Sequence, residues 1–312
     1  MRKAAFIFPG QGSQYVGMGK DLAAAFPRAR VLYEEADETL GLPISRMSFE
    51  GDGETLTATK NAQPAILIHS IVMSRILRED GGIEPSIAAG HSLGEYSALV
   101  SAGALDEMDA LRIVRRRGEL MFEAGVREPG TMAAIIGLER PEVEAVCRDS
   151  TNGQIVVVAN VNAPGQIVIS GHVKAVERAM GAAQARGAKK VIPLNVSGAF
   201  HSPLVASAQR ELVEYIRSFT VRDARVGIVC NADAKKITKS EEIVDALGRQ
   251  LTSPVLWSDS MTALCAQWDG PILEVGPGKV LAGLLKRIDG TRSVQNVGTA
   301  EELARRLAPE AA

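Results

Sequence analysis

Residues 90–94 read Gly90-His91-Ser92-Leu93-Gly94, a GxSxG pentapeptide. Residues 86–90 have the character of a short buried strand, and residues 95–104 that of a helix. A serine in that strand–turn–helix setting sits on a sharp turn that the glycines permit, with its hydroxyl lifted clear of the sheet. The Leu93 N–H and the first turn of the helix then face the oxygen of any carbonyl that Ser92 attacks. The spacing predicts nucleophilic acyl chemistry at Ser92.

Such a hydroxyl needs a base to take its proton. The chain has four histidines, and two of them follow Ser92 in suitable places. His172 follows an apolar strand and opens a helix, as a solvated capping residue would. His201 lies in Ser197-Gly198-Ala199-Phe200-His201-Ser202-Pro203, an irregular segment where a small domain is expected to rejoin a larger one. Loops at such junctions are where sites form, so His201 is the preferred base. His69 falls within an apolar helix and reads as a core residue, and His91 is held by the elbow turn itself. No acidic residue stands out as the third member of a triad. Orientation requires only an acceptor at the far ring nitrogen, and the free carbonyls ending a helix over 241–251 make Gln250 a candidate.

A helix over 109–124, closed by Gly125, carries Arg112, Arg115, Arg116 and Arg117. Turning it by about 100° per residue places Arg112, Arg116, Glu119 and Glu123 on one polar side, with Arg115 at its border. Arg117 falls instead among Ala110, Ile113, Val114, Leu120 and Met121. A guanidinium on an apolar side requires an anionic partner, and its planar fork suits a carboxylate. That partner is either an internal Asp or Glu or, beside a nucleophile, a substrate with a free carboxylate. The loop Pro9-Gly10-Gln11-Gly12-Ser13-Gln14 fits neither nucleotide fingerprint. It lacks the final glycine of the dinucleotide motif, and Gly19-Lys20-Asp21 lacks the P-loop's upstream Gly and its Ser/Thr. What remains is a turn that exposes backbone amides at the end of the first strand, suited to a second oxyanion donor.

The elements that must position these groups alternate between strand and helix, which predicts an α/β class. The expected elements are a strand at 4–8, helices at 21–40 and 63–78, the strand and helix around Ser92, and the arginine helix. From 131 the rhythm changes to strand 131–138, helix 141–148, strands 154–160 and 166–170, helix 173–186 and strand 189–196. That βαββαβ order is ferredoxin-like, so residues 127–197 read as a small domain inserted into a larger one made of 1–126 and 198–312. The larger part resumes with helix 204–219, strand 226–230, helix 241–251, strand 272–275 and helix 280–288. The last five residues, APEAA, are expected to fray.

Lys+Arg 35 against Asp+Glu 37 leaves a formal charge of −2, which gives no general pull toward nucleic acid. The three cysteines are far apart, and the histidines lack HxxxH spacing, so neither a disulfide framework nor a metal site is expected. The apolar run 4–8 is too short for a signal peptide, and no run approaches a membrane span. A cytoplasmic monomer with no cofactor is the expectation.

FPGQGSQYVGMG, GHSLGEYSAL, the Arg117 helix, NAPGQIVISG, GAFHS and EVGPGKVL together resemble the malonyl-CoA:acyl carrier protein transacylases. The resemblance spans essentially the whole chain. It implies an α/β-hydrolase-like large domain with a ferredoxin-like small domain. It also implies a malonyl group passed from malonyl-CoA to an acyl carrier protein by a ping-pong route through Ser92. By position it makes His201 the base, Arg117 the holder of the malonyl carboxylate, and Gln11 and Leu93 the oxyanion donors. Gln250 would supply the carbonyl that orients His201, and Gln63 and Asn160 would line the cleft. In the related polyketide domains a Phe before the histidine accompanies malonyl, so Phe200 would filter α-branched groups. Gly198 departs from that motif, where those domains often carry His. Carrier proteins are acidic, and Arg186, Lys189, Lys190, Lys286 and Arg287 are the candidate contacts for such a transient partner. A carboxyl-ester hydrolase and a non-catalytic binding module are the competing readings.

Overall fold

The computed structural model describes residues 2–308, so most of the APEAA tail lies outside the described residues. The strands are β1 (Arg2–Phe8), β2 (Ile83–Gly90), β3 (Gly130–Ile136), β4 (Val156–Ala163), β5 (Gln166–His172), β6 (Lys190–Pro193), β7 (Gly227–Val229), β8 (Lys236–Ile237), β9 (Ile272–Val275) and β10 (Val294–Val297). They form two sheets. The larger has the order β10-β9-β1-β2-β7-β8, parallel except for the β7–β8 pair. The smaller is antiparallel, with the order β4-β5-β3-β6.

β1 reads RKAAFIF and is buried from Ala4 to Phe8, as a central parallel strand covered on both faces must be. Ala4, Phe6 and Phe8 point into one core with helices Thr59–Glu79, Gly94–Ser101 and Glu107–Arg127. Ala5 and Ile7 point into another, with helices Trp257–Cys265 and Val280–Ile288. The small sheet also uses both faces. Ala133, Ile135, Ile167 and Ile169 pack under helices Arg140–Asp149 and Val173–Ala185, while Met132, Ala159 and Val168 join the core of the large sheet. The mixed α/β class and the βαββαβ order are as the sequence predicts.

Several element boundaries depart from expectation for definable reasons. The helix expected over 21–40 is two, Lys20–Ala25 and Pro27–Leu40, because Pro27 forces Phe26 to be extended (φ −124°). The helix expected from 63 begins at Thr59 and runs through Pro64. Pro64 lacks the N–H that would bond the Lys60 carbonyl, and Arg115 Nη1 donates to that carbonyl at 3.0 Å instead. The arginine helix does not stop at Gly125 but runs from Glu107 to Arg127. A Cβ at Gly125 would stand 2.1 Å from the Ser197 carbonyl oxygen, so this glycine serves close packing rather than termination. β2 starts upstream of residue 86 by carrying Pro85 at a break in its register with β1. The strand expected over 189–196 pairs only as far as Pro193. Leu194 keeps one bond to β3, from its N–H to the Met132 carbonyl at 2.9 Å, and residues 195–198 then leave the sheet and lead to His201.

Candidate active site

β1 and β2 are parallel neighbours, so their carboxyl ends deliver Pro9-Gly10-Gln11 and His91-Ser92 to the same edge of the sheet. That edge is where open α/β sheets bind ligands. The turn is very tight. A Cβ on Gly90 would lie 1.9 Å from the Gly94 carbonyl, one on Gly94 2.1 Å from the Phe8 oxygen, and one on Gly10 2.4 Å from the His91 oxygen. Ser92 itself takes a left-handed φ of +50°, a strained conformation for a side-chain-bearing residue. Asn231, just beyond β7, holds it there. Its Oδ1 accepts the Ser92 N–H at 2.7 Å, and its Nδ2 donates to the Gly90 carbonyl at 2.7 Å.

Ser92 Oγ lies 2.9 Å from His201 Nε2, and His201 Nδ1 lies 2.9 Å from the Gln250 backbone carbonyl. The carbonyl can only accept, so Nδ1 carries the proton and Nε2 is free to accept from the serine. Burial and the neighbouring Arg117 charge push the His201 pKa down to about 3, so the imidazole is neutral at ordinary pH. The other histidines are engaged elsewhere. His172 Nδ1 accepts the Ile155 N–H at 2.9 Å in the small sheet, and His69 joins Tyr33 to the Gly298 carbonyl. His91 Nε2 meets Asn162 Oδ1 at 2.8 Å, tying the elbow to the small sheet.

Arg117 is 1% exposed, as its place on the helix predicts. Its guanidinium donates to Gln63 Oε1 at 2.7 Å, Ser92 Oγ at 3.0 Å and Gln250 Oε1 at 3.0 Å. All three acceptors are neutral. The Tyr96 ring lies 5.6 Å from its Cζ, and its Nε has no acceptor among the described residues. A cation is thus held dry against the nucleophile without a carboxylate on it. The other arginines of the helix take the solvated role, Arg112 with Asp109 at 3.0 Å and Arg116 with Glu123 and Glu211 at 3.3 Å each. Beside Ser92 opens a cavity of about 280 Å³ lined by Gln11, Met121, Met132, Asn160, Phe200 and His201.

A family model described as an acyl transferase domain matches residues 5–310. The chain belongs to the acyl transferase family. Within it, the malonyl CoA-acyl carrier protein transacylase of Bacillus subtilis (strain 168) is 48% identical over 290 residues, 93% of this chain and 91% of that protein. The one from Escherichia coli (strain K12) is 43% identical over 307 residues, 98% and 99% of the two chains. A solved acyl carrier protein S-malonyltransferase from Vibrio cholerae superposes with a TM-score of 0.93 at 40% identity, over 98% of this chain and 99% of that one. A type II polyketide acyl-carrier protein complexed with its malonyl-transacylase gives 0.95 at 42%, over 98% and 99%.

In this acyl transferase the residues singled out from sequence come together around Ser92. Gln63 Nε2 reaches Gln11 Oε1 at 3.4 Å, so both lie at the Arg117 end of the cleft. The backbone N–H groups of Gln11 and Leu93 donate to no group among the described residues. The Leu93 side chain itself is buried. None of Arg186, Lys189, Lys190, Lys286 and Arg287 lines the cavity, and Arg186 is taken by Asp149. Two residues escaped the reading of the sequence, Asn231 and Glu95. Asn231 lies two residues past a strand beside β2, and Glu95 directly follows the GxSxG turn; those positions are the only signals they carry.

Proposed function

We propose that this acyl transferase moves a malonyl group from malonyl-CoA to the phosphopantetheine thiol of an acyl carrier protein, in fatty-acid biosynthesis. The observation that carries the reading is Arg117, a buried guanidinium 3.0 Å from Ser92 Oγ whose protein acceptors are all uncharged. A substrate carboxylate supplies the missing anion, and pairing in a dry site is strong and directional. His201 Nε2 takes the Ser92 proton while Oγ attacks the thioester carbonyl. The oxyanion rests on the Gln11 and Leu93 N–H groups. Collapse breaks the carbon–sulfur bond, His201 returns the proton to the sulfur, and coenzyme A leaves. The carrier's thiol then gives its proton to His201, attacks the malonyl-Ser92 ester, and Ser92 recovers its proton as the ester breaks.

Arg117 also tunes the base. Its positive charge lowers the His201 pKa, and a bound carboxylate neutralises that charge, so His201 becomes more basic when malonyl is in place. Phe200, with Met121 and Met132, narrows the cavity beside Ser92 and excludes α-branched acyl groups. Asn160 lines the same wall, and Gln63 keeps Arg117 oriented. We assign 1–126 and 198–312 to an α/β-hydrolase-like catalytic domain and 127–197 to a ferredoxin-like one. The antiparallel order β4-β5-β3-β6 supports the second assignment. Docking of an acidic carrier falls to Lys189, Lys190, Lys286 and Arg287, with Arg186 after release from Asp149. The protein works as a monomer in the cytoplasm, with no cofactor.

Intact-protein mass spectrometry tests this reading. Incubation with malonyl-CoA should add one malonyl group at Ser92, and holo-carrier protein should remove it and carry it. Ser92→Ala should show no adduct while keeping its fold. An adduct on that variant, or one discharged to water as fast as to carrier, would sink the transferase assignment.

A further inference from the structure

Gln250 serves His201 through its backbone carbonyl, which leaves its side chain for other work. That side chain lies between a buried guanidinium and a buried carboxyl. Its Oε1 accepts from Arg117 Nη2 at 3.0 Å, and its Nε2 donates to Glu95 Oε2 at 2.8 Å and to the Ser92 carbonyl at 2.9 Å. Glu95 is 1% exposed, and its Oε2 also accepts the Asn231 N–H at 3.2 Å. A guanidinium only donates and a carboxylate only accepts, so Arg117 and Glu95 together dictate which way the Gln250 amide points. With the amide so oriented, the Glu95 charge reaches Arg117 through one hydrogen-bonded bridge. Among the described residues no carboxylate pairs directly with the fork, whose Nη2 also donates to Ser92 Oγ at 3.0 Å.

We infer that Glu95 is a positioning residue for substrate choice: through Gln250 it holds the Arg117 guanidinium at Ser92 and so sets the preference for acyl groups that end in a carboxylate. The inference rests on the malonyl reading of the site. Burial raises the Glu95 pKa to about 7, so near neutral pH the carboxyl is divided between its two forms. Gln250, Asn231 and Arg117 pull the other way, and the Gln250 and Asn231 donors both meet Oε2, as the ionised form requires. The Gln250 amide also touches the elbow at the Ser92 carbonyl, but its bond with Arg117 is the one through which Glu95 acts on substrate choice. Asn231 already reaches Ser92 and Gly90 with its own side chain.

Glu95→Gln keeps the shape and removes the charge, leaving an amide against the Gln250 amide. In that variant kcat/KM for malonyl-CoA should fall by about 10- to 100-fold while that for acetyl-CoA changes by less than about threefold. Labelling of Ser92 by phenylmethylsulfonyl fluoride, which carries no carboxylate, should be unchanged. In a Gln250→Met background, adding Glu95→Gln should leave the malonyl-to-acetyl ratio where Gln250→Met alone put it. The inference is overturned by an unchanged ratio, by equal loss for both substrates together with lost labelling, or by additive effects in the double variant. Malonyl transfer by the unaltered chain tests the underlying reading separately. If that transfer is robust and the variant's ratio is unaltered, only the role of Glu95 falls.

Discussion

Ser92, His201 and Arg117 meet within 3.0 Å of one hydroxyl, though 25 and 109 positions separate the serine from its partners. Each left a local trace. Ser92 had the glycine spacing, His201 the irregular segment at a junction, and Arg117 its place on the wrong side of a helix. Glu95 and Asn231 left almost none, because what they do depends on contacts 136 residues apart that no local pattern encodes. The choice between histidines is testable at this scale. His201→Ala should slow acylation by about 10²–10⁴-fold, the usual loss for a general base. His172→Ala removes only the acceptor of the Ile155 N–H, so its acylation rate should stay near that of the unaltered chain. Single-turnover acylation by malonyl-CoA distinguishes the two, and the reverse ranking would reassign the base.

Elements were legible where apolar pattern decided them and misread where one residue has two possible uses. Pro27 broke a helix, yet Pro64 did not, because Arg115 reaches the Lys60 carbonyl that the proline leaves open. Nothing in the neighbourhood of Pro64 announces a side chain 51 residues later. Gly125 looks like a terminator in sequence and is a packing glycine in the structure, admitting the Ser197 carbonyl beside helix Glu107–Arg127. Two effects oppose each other in Gly125→Ala. Helix propensity favours alanine by up to about 1 kcal/mol, whereas forcing a methyl against a backbone oxygen costs about 1–3 kcal/mol. Overpacking wins on these magnitudes. Urea unfolding should show a net destabilisation, and acylation should slow because 197–201 carries His201. A variant more stable than the unaltered chain would mean that the segment yields without cost.

Across the whole molecule, two sheets bring the carboxyl ends of β1 and β2 against the chain leaving β6, and the cavity beside Ser92 opens between them. The alternation of strands and helices and the βαββαβ interlude were readable because each follows from short-range periodicity. The packing of the small sheet onto the large core through Met132, Ala159 and Val168 was not, because it depends on which face of each strand meets a surface built elsewhere. That arrangement gives Arg117 a dry setting beside the nucleophile, and on it the functional account depends. The most direct test is transfer from malonyl-CoA and from acetyl-CoA by the unaltered chain, Arg117→Ala and Arg117→Lys. Malonyl transfer should fall by about 10²-fold or more in Arg117→Ala, with acetyl transfer little changed or raised, since loss of a buried charge-assisted pair is specific to the carboxylate. Arg117→Lys should recover only part, because an ammonium cannot form the paired contact. Equal loss for both acyl groups in Arg117→Ala would show that Arg117 supports the structure and does not read the substrate's carboxylate.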